Sequence, residues 1–301
     1  MSVLTPTLRL RAGGRLLELG RRPLLMGVVN ASPDSFSDVG SAPTLAGRLE
    51  LARELLAAGA DIIDVGGESA RTGLAPVGAD EEIERVVPLV AAIVDELGAI
   101  VSVDTYKGPV AAAAIDAGAT IVNDVSGLRD PALAHICAQT GAALVLMHTR
   151  AAPKQRLQDP DLYDDVVGET LAFLRARVEL ALAAGAAFEQ LIVDPGPDFA
   201  KTPAQTIALL ADIDRLHELN RPLLMAISRK DFIGALTSRR PRERLAGTLA
   251  ALAHGLEGGA HIFRVHDVAA AADFIRVREA LRGEIDPGRN LALPEDLRTE
   301  R

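Results

Sequence analysis

Short apolar runs alternate with longer amphipathic ones along most of the chain. PLLMGVVN, ADIIDVGG, AIVSVD, ATIVNDV, AALVLMH, LIVDP, PLLMAIS and HIFRVH are rich in Val, Ile, Leu and Met and have the length of strands. Their apolar residues are consecutive rather than alternate, so both faces of the sheet are covered, as in a parallel sheet carrying helices. Between them run LAGRLELARELLAAG, EEIERVVPLVAAIVDELG, TPAQTIALLADIDRLHEL and similar stretches, with apolar residues at helical spacing and Gly or Asn at several ends. Strand and helix alternate eight times, which predicts an α/β fold of the (β/α)8 TIM-barrel type over residues 23–283 rather than a doubly wound sheet. Ahead of it, LRLRAGGRLLELG predicts an N-terminal β-hairpin within residues 1–22, turned by Ala-Gly-Gly and placed to plug the barrel bottom. The charged, Pro-containing residues 284–301 predict a poorly ordered C-terminal tail.

Composition narrows the function. At 301 residues and 49% hydrophobic, the chain can bury a large core and is not disordered. A formal net charge of -9 argues against nucleic acid and anionic membrane surfaces as partners. Aromatics make up 3% with no Trp, which leaves little for stacking on bases, so the expected ligand is a small molecule. No apolar run approaches the roughly 18 residues of a membrane span, and MSVLTPTLRLRAGG lacks a signal-like segment; a cytoplasmic protein is expected. The single cysteine, Cys137 in ALAHICAQ, reads as a small core residue in a reducing compartment.

In a barrel of this type the active face lies at the C-terminal ends of the strands. The polar residues there are Asn30, Asp64, Asp104, Asn123, His148, Asp194, Ser228 with Arg229 and Lys230, and Arg264 with His266, so every strand contributes. Burying that many polar groups without a ligand or partners costs several kcal/mol, which points to a site. Asp104, Asn123 and Asp194 together suit the edge of a flat heterocycle that offers both donors and acceptors, such as a base or a pterin. Arg264, His266 and Asn30 suit an anion and a metal bound to it. There is neither GxGxxG nor GxxxxGK[ST], and no second His or Cys stands at zinc-ligand spacing from His148.

These residues occur in ordered motifs. MGVVNASPDSFSD, DIIDVGGESARTG, VSVDTYK, NDVSGL, LMHTRAAP followed by YDDV, VDPGPDFAKT, AISRKDFIG, ERLAGTLAA and HIFRVHDV run from about Leu24 to Val268. The set resembles dihydropteroate synthase. The resemblance implies a transferase of folate biosynthesis that joins 6-hydroxymethyl-7,8-dihydropterin diphosphate to p-aminobenzoate, forming 7,8-dihydropteroate and pyrophosphate. It implies that Asp104, Asn123, Asp194 and Lys230 hold the pterin, with Arg264 against the ring. It implies that Asn30, Arg264 and His266 hold the diphosphate, with Mg2+ bridging it to Asn30. Asp34, Ser35, Phe36 and Arg71 would lie on lid loops, and the protein would be a homodimer. Departure of pyrophosphate leaves positive charge on the pterin, which nearby carboxylates stabilise while magnesium and His266 stabilise the leaving group. The amine is neutral near pH 7, so no nucleophile-and-base arrangement is required.

The chain departs from the family at three places. Ala70-Arg71-Thr72 stands for Thr-Arg-Pro, Asp198-Phe199-Ala200-Lys201 for Gly-Phe-Gly-Lys, and Asp231 for the Ser of Ser-Arg-Lys-Ser. In the family all three line the p-aminobenzoate pocket, formed here by Ala70, Arg71, Thr72, Phe199 and Asp231. Asp231 either opposes the substrate carboxylate or caps a helix and turns away, and Asp198 either faces the pocket or solvent. A second reading therefore stands beside the first: a pterin-binding paralogue with altered or lost use of p-aminobenzoate. A corrinoid-dependent methyltransferase barrel is disfavoured by the diphosphate grip of RVHDV, and a Schiff-base aldolase using Lys230 has only Arg229 beside it in support.

Overall fold

The computed structural model describes residues 7–20, 22–32, 44–69, 73 and 75–298. The lid residues Asp34, Ser35 and Phe36 and the pocket residues Ala70, Arg71 and Thr72 lie outside the described residues.

The described elements begin with a hairpin of β1 (Leu8–Ala12) and β2 (Arg15–Leu19), in which Ala12 pairs with Arg15 around Gly13 and Gly14. The barrel follows as β3 (Leu24–Asn30), α1 (Leu45–Ala57), β4 (Ile62–Gly66), α2 (Ala79–Leu97), β5 (Ile100–Asp104), α3 (Gly108–Asp116), β6 (Ile121–Asp124) and α4 (Ala132–Thr140). It continues as β7 (Ala143–Met147), α5 (Val166–Ala183), β8 (Leu191–Asp194), α6 (Pro203–Ala211), β9 (Leu224–Met225), α7 (Asp231–Thr237), α8 (Leu245–Glu257), β10 (Ile262–Val265) and α9 (Val268–Leu281). The sheet has eight strands in the order β8-β7-β6-β5-β4-β3-β10-β9, with parallel pairing throughout. A parallel bridge from Val193 to Leu223 joins the last neighbours and closes the barrel.

Two apolar layers hold it. Between strands and helices lie Leu25, Val29, Ile63, Val65, Val101, Val103, Leu144, Leu146, Val193 and Phe263 with helix residues such as Leu89, Ile93, Leu174 and Leu252. Inside the barrel, Met26, Ile62, Ile121, Val145, Ile192, Leu224 and Ile262 meet Leu10, Ala12 and Leu19 of the hairpin. The hairpin thus seals the end opposite the site, and a Gly13 N–H to Gly141 carbonyl bond of 2.9 Å ties it there. Cys137 is fully buried, and burial pushes its thiol up to about 12, as befits a core residue.

Two elements differ from the sequence expectation. The predicted strand PLLMAIS keeps regular pairing only at Leu224–Met225, because the chain then turns through Arg229 at φ 60° to start the extra short helix α7. The predicted helix over residues 202–219 breaks at Asp212: the Leu210 carbonyl is taken by His254 Nε2 at 2.7 Å instead of by a following amide, and Ile213–Leu219 continue as a 3-10 helix. Residues 284–298 are exposed and carry a 3-10 turn at Glu295–Leu297. Among the described residues, no helix is long and apolar enough to cross a membrane.

Candidate active site

A cavity of about 550 Å³ opens at the C-terminal mouth of the barrel. Asn30, Asp104, Arg264, His266, Ser228, Lys230, Phe199, Asp198 and Asp231 line it, so residues from separate strands converge as predicted. Asn123 and Asp194 lie deeper, each 2% exposed, and Asp64 is 0% exposed beneath them. This volume is ordinary for a small-molecule site.

The charges on the floor are paired. Arg264 donates from Nε to Asp64 Oδ2 at 2.6 Å and from Nη2 to Asp104 Oδ2 at 2.9 Å, while Asn123 Nδ2 donates to the same Asp64 oxygen at 3.2 Å. Burial pushes the Asp104 carboxyl up to about 7, against the pull of Arg264 and with a further push from Asp64. Burial likewise raises Asp194 to about 6, although its Oδ1 accepts the Gly196 N–H at 2.7 Å and Lys230 and Lys201 pull the other way. Lys230 lies with its ammonium 4.4 Å from the Phe199 ring centroid; burial lowers its pKa while Asp198 and Asp194 raise it. Ser228 Oγ meets His266 twice, accepting its backbone N–H at 3.2 Å and lying 3.0 Å from Nδ1, which orients the imidazole. Arg229, the middle residue of SRK, turns away to a two-pronged pair with Asp267 at 2.9 and 3.2 Å.

The β8 loop explains the departure at residues 198–201. Gly196 has φ 63°, and a Cβ there would stand 2.1 Å from the His148 carbonyl oxygen, so the turn of VDPGP demands glycine. Asp198 at φ 64° and Ala200 at φ 51° also adopt the left-handed conformation, which is why glycines suit the family pattern at both places. The turn is held from inside by Lys201, 0% exposed, whose ammonium donates to the carbonyls of Gly196 at 2.9 Å, Phe199 at 3.1 Å and His148 at 3.4 Å. Tyr163 Oη adds a bond to the Ala200 carbonyl at 2.9 Å. Since alanine in this conformation costs about 1 to 2 kcal/mol and the greater unfolded-chain entropy of glycine offsets part of the relief, Ala200→Gly is expected to stabilise the fold by about 0.5 to 1 kcal/mol, measured by urea denaturation.

The structure decides both open acids. Asp231 opens α7 with its carboxylate 3.1 Å from Arg244 Nη1, its side chain 64% exposed, so it is a paired surface acid at the cavity rim. Asp198 does not face solvent: its Oδ2 accepts the Asp231 N–H at 2.5 Å and its Oδ1 accepts from Thr206 Oγ1 at 3.1 Å. The acid that meets the start of α7 from the cavity side is therefore Asp198.

One member of the expected convergence is elsewhere. His148 directly follows β7, but the residue is 1% exposed and its ring packs against Phe173 of α5 and Tyr163, with centroid distances of 4.9 and 5.8 Å. Burial drives its pKa down to about 2, so it is a neutral wall residue behind the cavity. Conversely, the sequence reading left Lys201, Asp198 and Glu68 without assigned partners. Glu68, on the rim, accepts from Lys107 at 2.5 Å and from Tyr106 Oη at 3.0 Å and pairs with Lys154 at 3.0 Å. Lys154 also donates to the Ser69 carbonyl, and its own carbonyl accepts the Gly73 N–H at 3.2 Å, so the β4 and β7 loops are fastened together.

A parallel barrel with a buried set of acids, an amide and two cations at its mouth defines a heterocycle-binding enzyme, and the family model "Pterin binding enzyme" matches residues 26–266. The dihydropteroate synthase of Synechocystis sp. is 42% identical over 274 residues, covering 90% of this chain and 94% of the relative. That of Escherichia coli K12 is 41% identical over 273 residues, covering 91% and 96%. Among solved structures, Xanthomonas albilineans dihydropteroate synthase with 4-aminobenzoic acid has a TM-score of 0.84 at 41% identity, covering 92% of this chain and 99% of that one. Burkholderia cenocepacia dihydropteroate synthase complexed with 7,8-dihydropteroate has a TM-score of 0.82 at 37% identity, covering 92% and 97%. The chain belongs to the dihydropteroate synthases within the pterin-binding enzymes.

Proposed function

We propose that this protein joins 6-hydroxymethyl-7,8-dihydropterin diphosphate to p-aminobenzoate. The bond from the exocyclic carbon to the diphosphate oxygen breaks, with the electron pair leaving on pyrophosphate. The aniline nitrogen bonds to that carbon and gives up one proton. The observation that carries the reading is the floor of Asp104, Asn123, Asp194, Lys230 and Arg264, which offers acceptors and donors to a flat ring at the strand ends.

In this reading Asp104 and Asp194 accept N–H groups of the pterin, Asn123 pairs with its edge, and Lys230 donates to it. As pyrophosphate departs, the two carboxylates stabilise the positive charge left on the ring system, in a cavity where fixed charges act more strongly than in water. Arg264 and His266, with Asn30, sit at the cavity lining where they can hold the diphosphate. Among the described residues there is no cluster of three His, Cys, Asp or Glu for a dedicated metal cage. A lone amide such as Asn30 fits Mg2+, which takes few protein ligands and keeps substrate phosphate oxygens and water. Asn30 would hold the ion, and magnesium would neutralise charge on the leaving pyrophosphate.

The acceptor half is shaped by Asp198. Its carboxylate at the start of α7 stands where the resemblance places the p-aminobenzoate carboxylate, and the resulting repulsion favours a second reading with weakened or altered acceptor use. A homodimer belongs to the proposal, and the face of α8 and α9, where Leu245, Val277 and Leu281 are exposed, is the apolar surface a second copy would cover.

Purified protein with pterin diphosphate, magnesium and p-aminobenzoate is expected to release pyrophosphate in proportion to p-aminobenzoate. Pterin-diphosphate binding by calorimetry without such release would favour the second reading. The acids also set a pH dependence. Each is raised, so each is ionised above its shifted pKa and protonated below it: kcat/KM for pterin diphosphate should begin to fall near pH 7, where Asp104 titrates, and fall further below about pH 6, where Asp194 does. A flat profile from pH 8 to pH 5 would contradict roles for these carboxylates as anions.

A further inference from the structure

We infer that Asp64 is a positioning residue of this reaction, holding Arg264 and the Asn123 amide in the orientation the substrate needs without touching the substrate itself. The inference rests on the pterin reading above.

Asp64 is 0% exposed and lies one layer below the floor: across the sheet Asp104 and Asn123 are level with Gly66, the end of β4, whereas Asp64, two residues earlier, is level with Ser102. Its Oδ1 is buried with no hydrogen-bond partner among the described residues. An acid in that place is unfavourable for the fold unless its contacts require it, because a buried carboxylate oxygen left unserved keeps its desolvation cost. Both of its contacts are made through Oδ2, to Arg264 Nε at 2.6 Å and Asn123 Nδ2 at 3.2 Å, and both partners belong to the proposed pterin set.

Each contact removes one freedom. Arg264 is held by two acids, but only Asp104 borders the cavity. A pterin N–H on Asp104 shares that carboxylate with Arg264 Nη2, whereas the Asp64 bond is out of the ligand's reach and keeps the guanidinium in place against the ring and the diphosphate. Asn123 is constrained by geometry: Asp64 Oδ2 already accepts from Arg264 Nε, so the amide presents its nitrogen to that oxygen, since a flipped amide would set oxygen against oxygen. The Asn123 carbonyl oxygen is then the amide atom offered to a ring N–H. One acid on β4 thereby orients a donor group on β10 and an acceptor on β6.

Asp64→Asn keeps the volume but removes the negative charge that holds both Arg264 Nε and Asn123 Nδ2 on one oxygen. In steady-state assays of the full chain, kcat/KM for pterin diphosphate is expected to fall roughly thirtyfold or more, the scale of a misplaced binding group. The KM for p-aminobenzoate should stay within about twofold. Asn123→Ala should also lower kcat/KM, and the double variant should lose less than the product of the two single losses, because the Asn123 contact of Asp64 is already gone while its Arg264 contact remains. Unchanged pterin kinetics in Asp64→Asn, an equal rise in both KM values, or losses that multiply fully in the double variant would overturn the role. Asp64→Ser is measured alongside under the same criteria, and failure of both variants to fold would mark Asp64 as purely structural and overturn it too. The wild-type protein run in parallel separates the two ideas: no wild-type turnover sinks the synthase reading, whereas normal wild-type turnover beside an unaffected variant sinks only the assignment of Asp64.

Discussion

Replacing Lys230 by methionine should abolish most turnover while leaving the barrel folded. Its ammonium is a cation that both Asp194 and Asp198 act on, and it is packed against Phe199 at the cavity wall. Methionine keeps most of the apolar stem but takes away one of the cations that Asp194 and Asp198 face and removes a donor to the ligand. A hydrogen bond from a charged donor is worth about 1.5 to 3 kcal/mol, so kcat/KM for pterin diphosphate should fall about tenfold to a hundredfold or more. The measurement is initial-rate pyrophosphate release, with circular dichroism confirming the fold. A loss below about fivefold would remove Lys230 from the pterin-binding set, since even one charged hydrogen bond is worth more than that.

The second large effect is predicted in the opposite direction. Asp198→Gly should improve p-aminobenzoate use. Two like charges about 4 Å apart repel by about 1 kcal/mol in water and about 4 kcal/mol at an effective dielectric near 20, a tenfold to thousandfold effect on binding. Removing the carboxylate frees the Asp231 N–H that it now occupies at 2.5 Å, and glycine also suits the φ of 64° at that position. The KM for p-aminobenzoate should therefore drop about tenfold or more, with kcat/KM for pterin diphosphate within about threefold of wild type. A rise in the KM for p-aminobenzoate would show that Asp198 supports the acceptor instead of opposing it. Asp231→Ser, although it restores the family residue, should change the KM less, because the Asp231 carboxylate is already paired with Arg244 and exposed.

The contrast between these two residues shows what the chain makes legible. The barrel could be read because its strands are apolar at consecutive positions, so IIDVG or ALVLM has no alternative but burial on both faces. The floor could be read because an Asp or Asn ending such a strand is fixed by the strand itself. Side-chain direction beyond the strand was less accessible. His148 occupies the same kind of position as Asp194, yet its ring packs into α5 because Phe173 and Tyr163 receive it there. Asp198 and Asp231 exchanged their expected prominence because their partners, Thr206 and Arg244, come from α6 and from the start of α8, at distances along the chain that no local pattern encodes. Asp64 looked like one strand-end acid among several, and only the tertiary structure gives it two donors and removes it from the cavity. The break at Asp212 has the same origin, a ring nitrogen of His254 taking a carbonyl that the local sequence assigns to the helix.

The reaction that unites these roles is the formation of a carbon–nitrogen bond between a pterin and p-aminobenzoate. Mass-spectrometric detection of 7,8-dihydropteroate together with pyrophosphate, from purified protein given pterin diphosphate, magnesium and p-aminobenzoate, tests it most directly. The two products should appear in equal amounts, dependent on both substrates and lost in Lys230→Ala. Pyrophosphate without dihydropteroate, or neither product above the Lys230→Ala control, would contradict it.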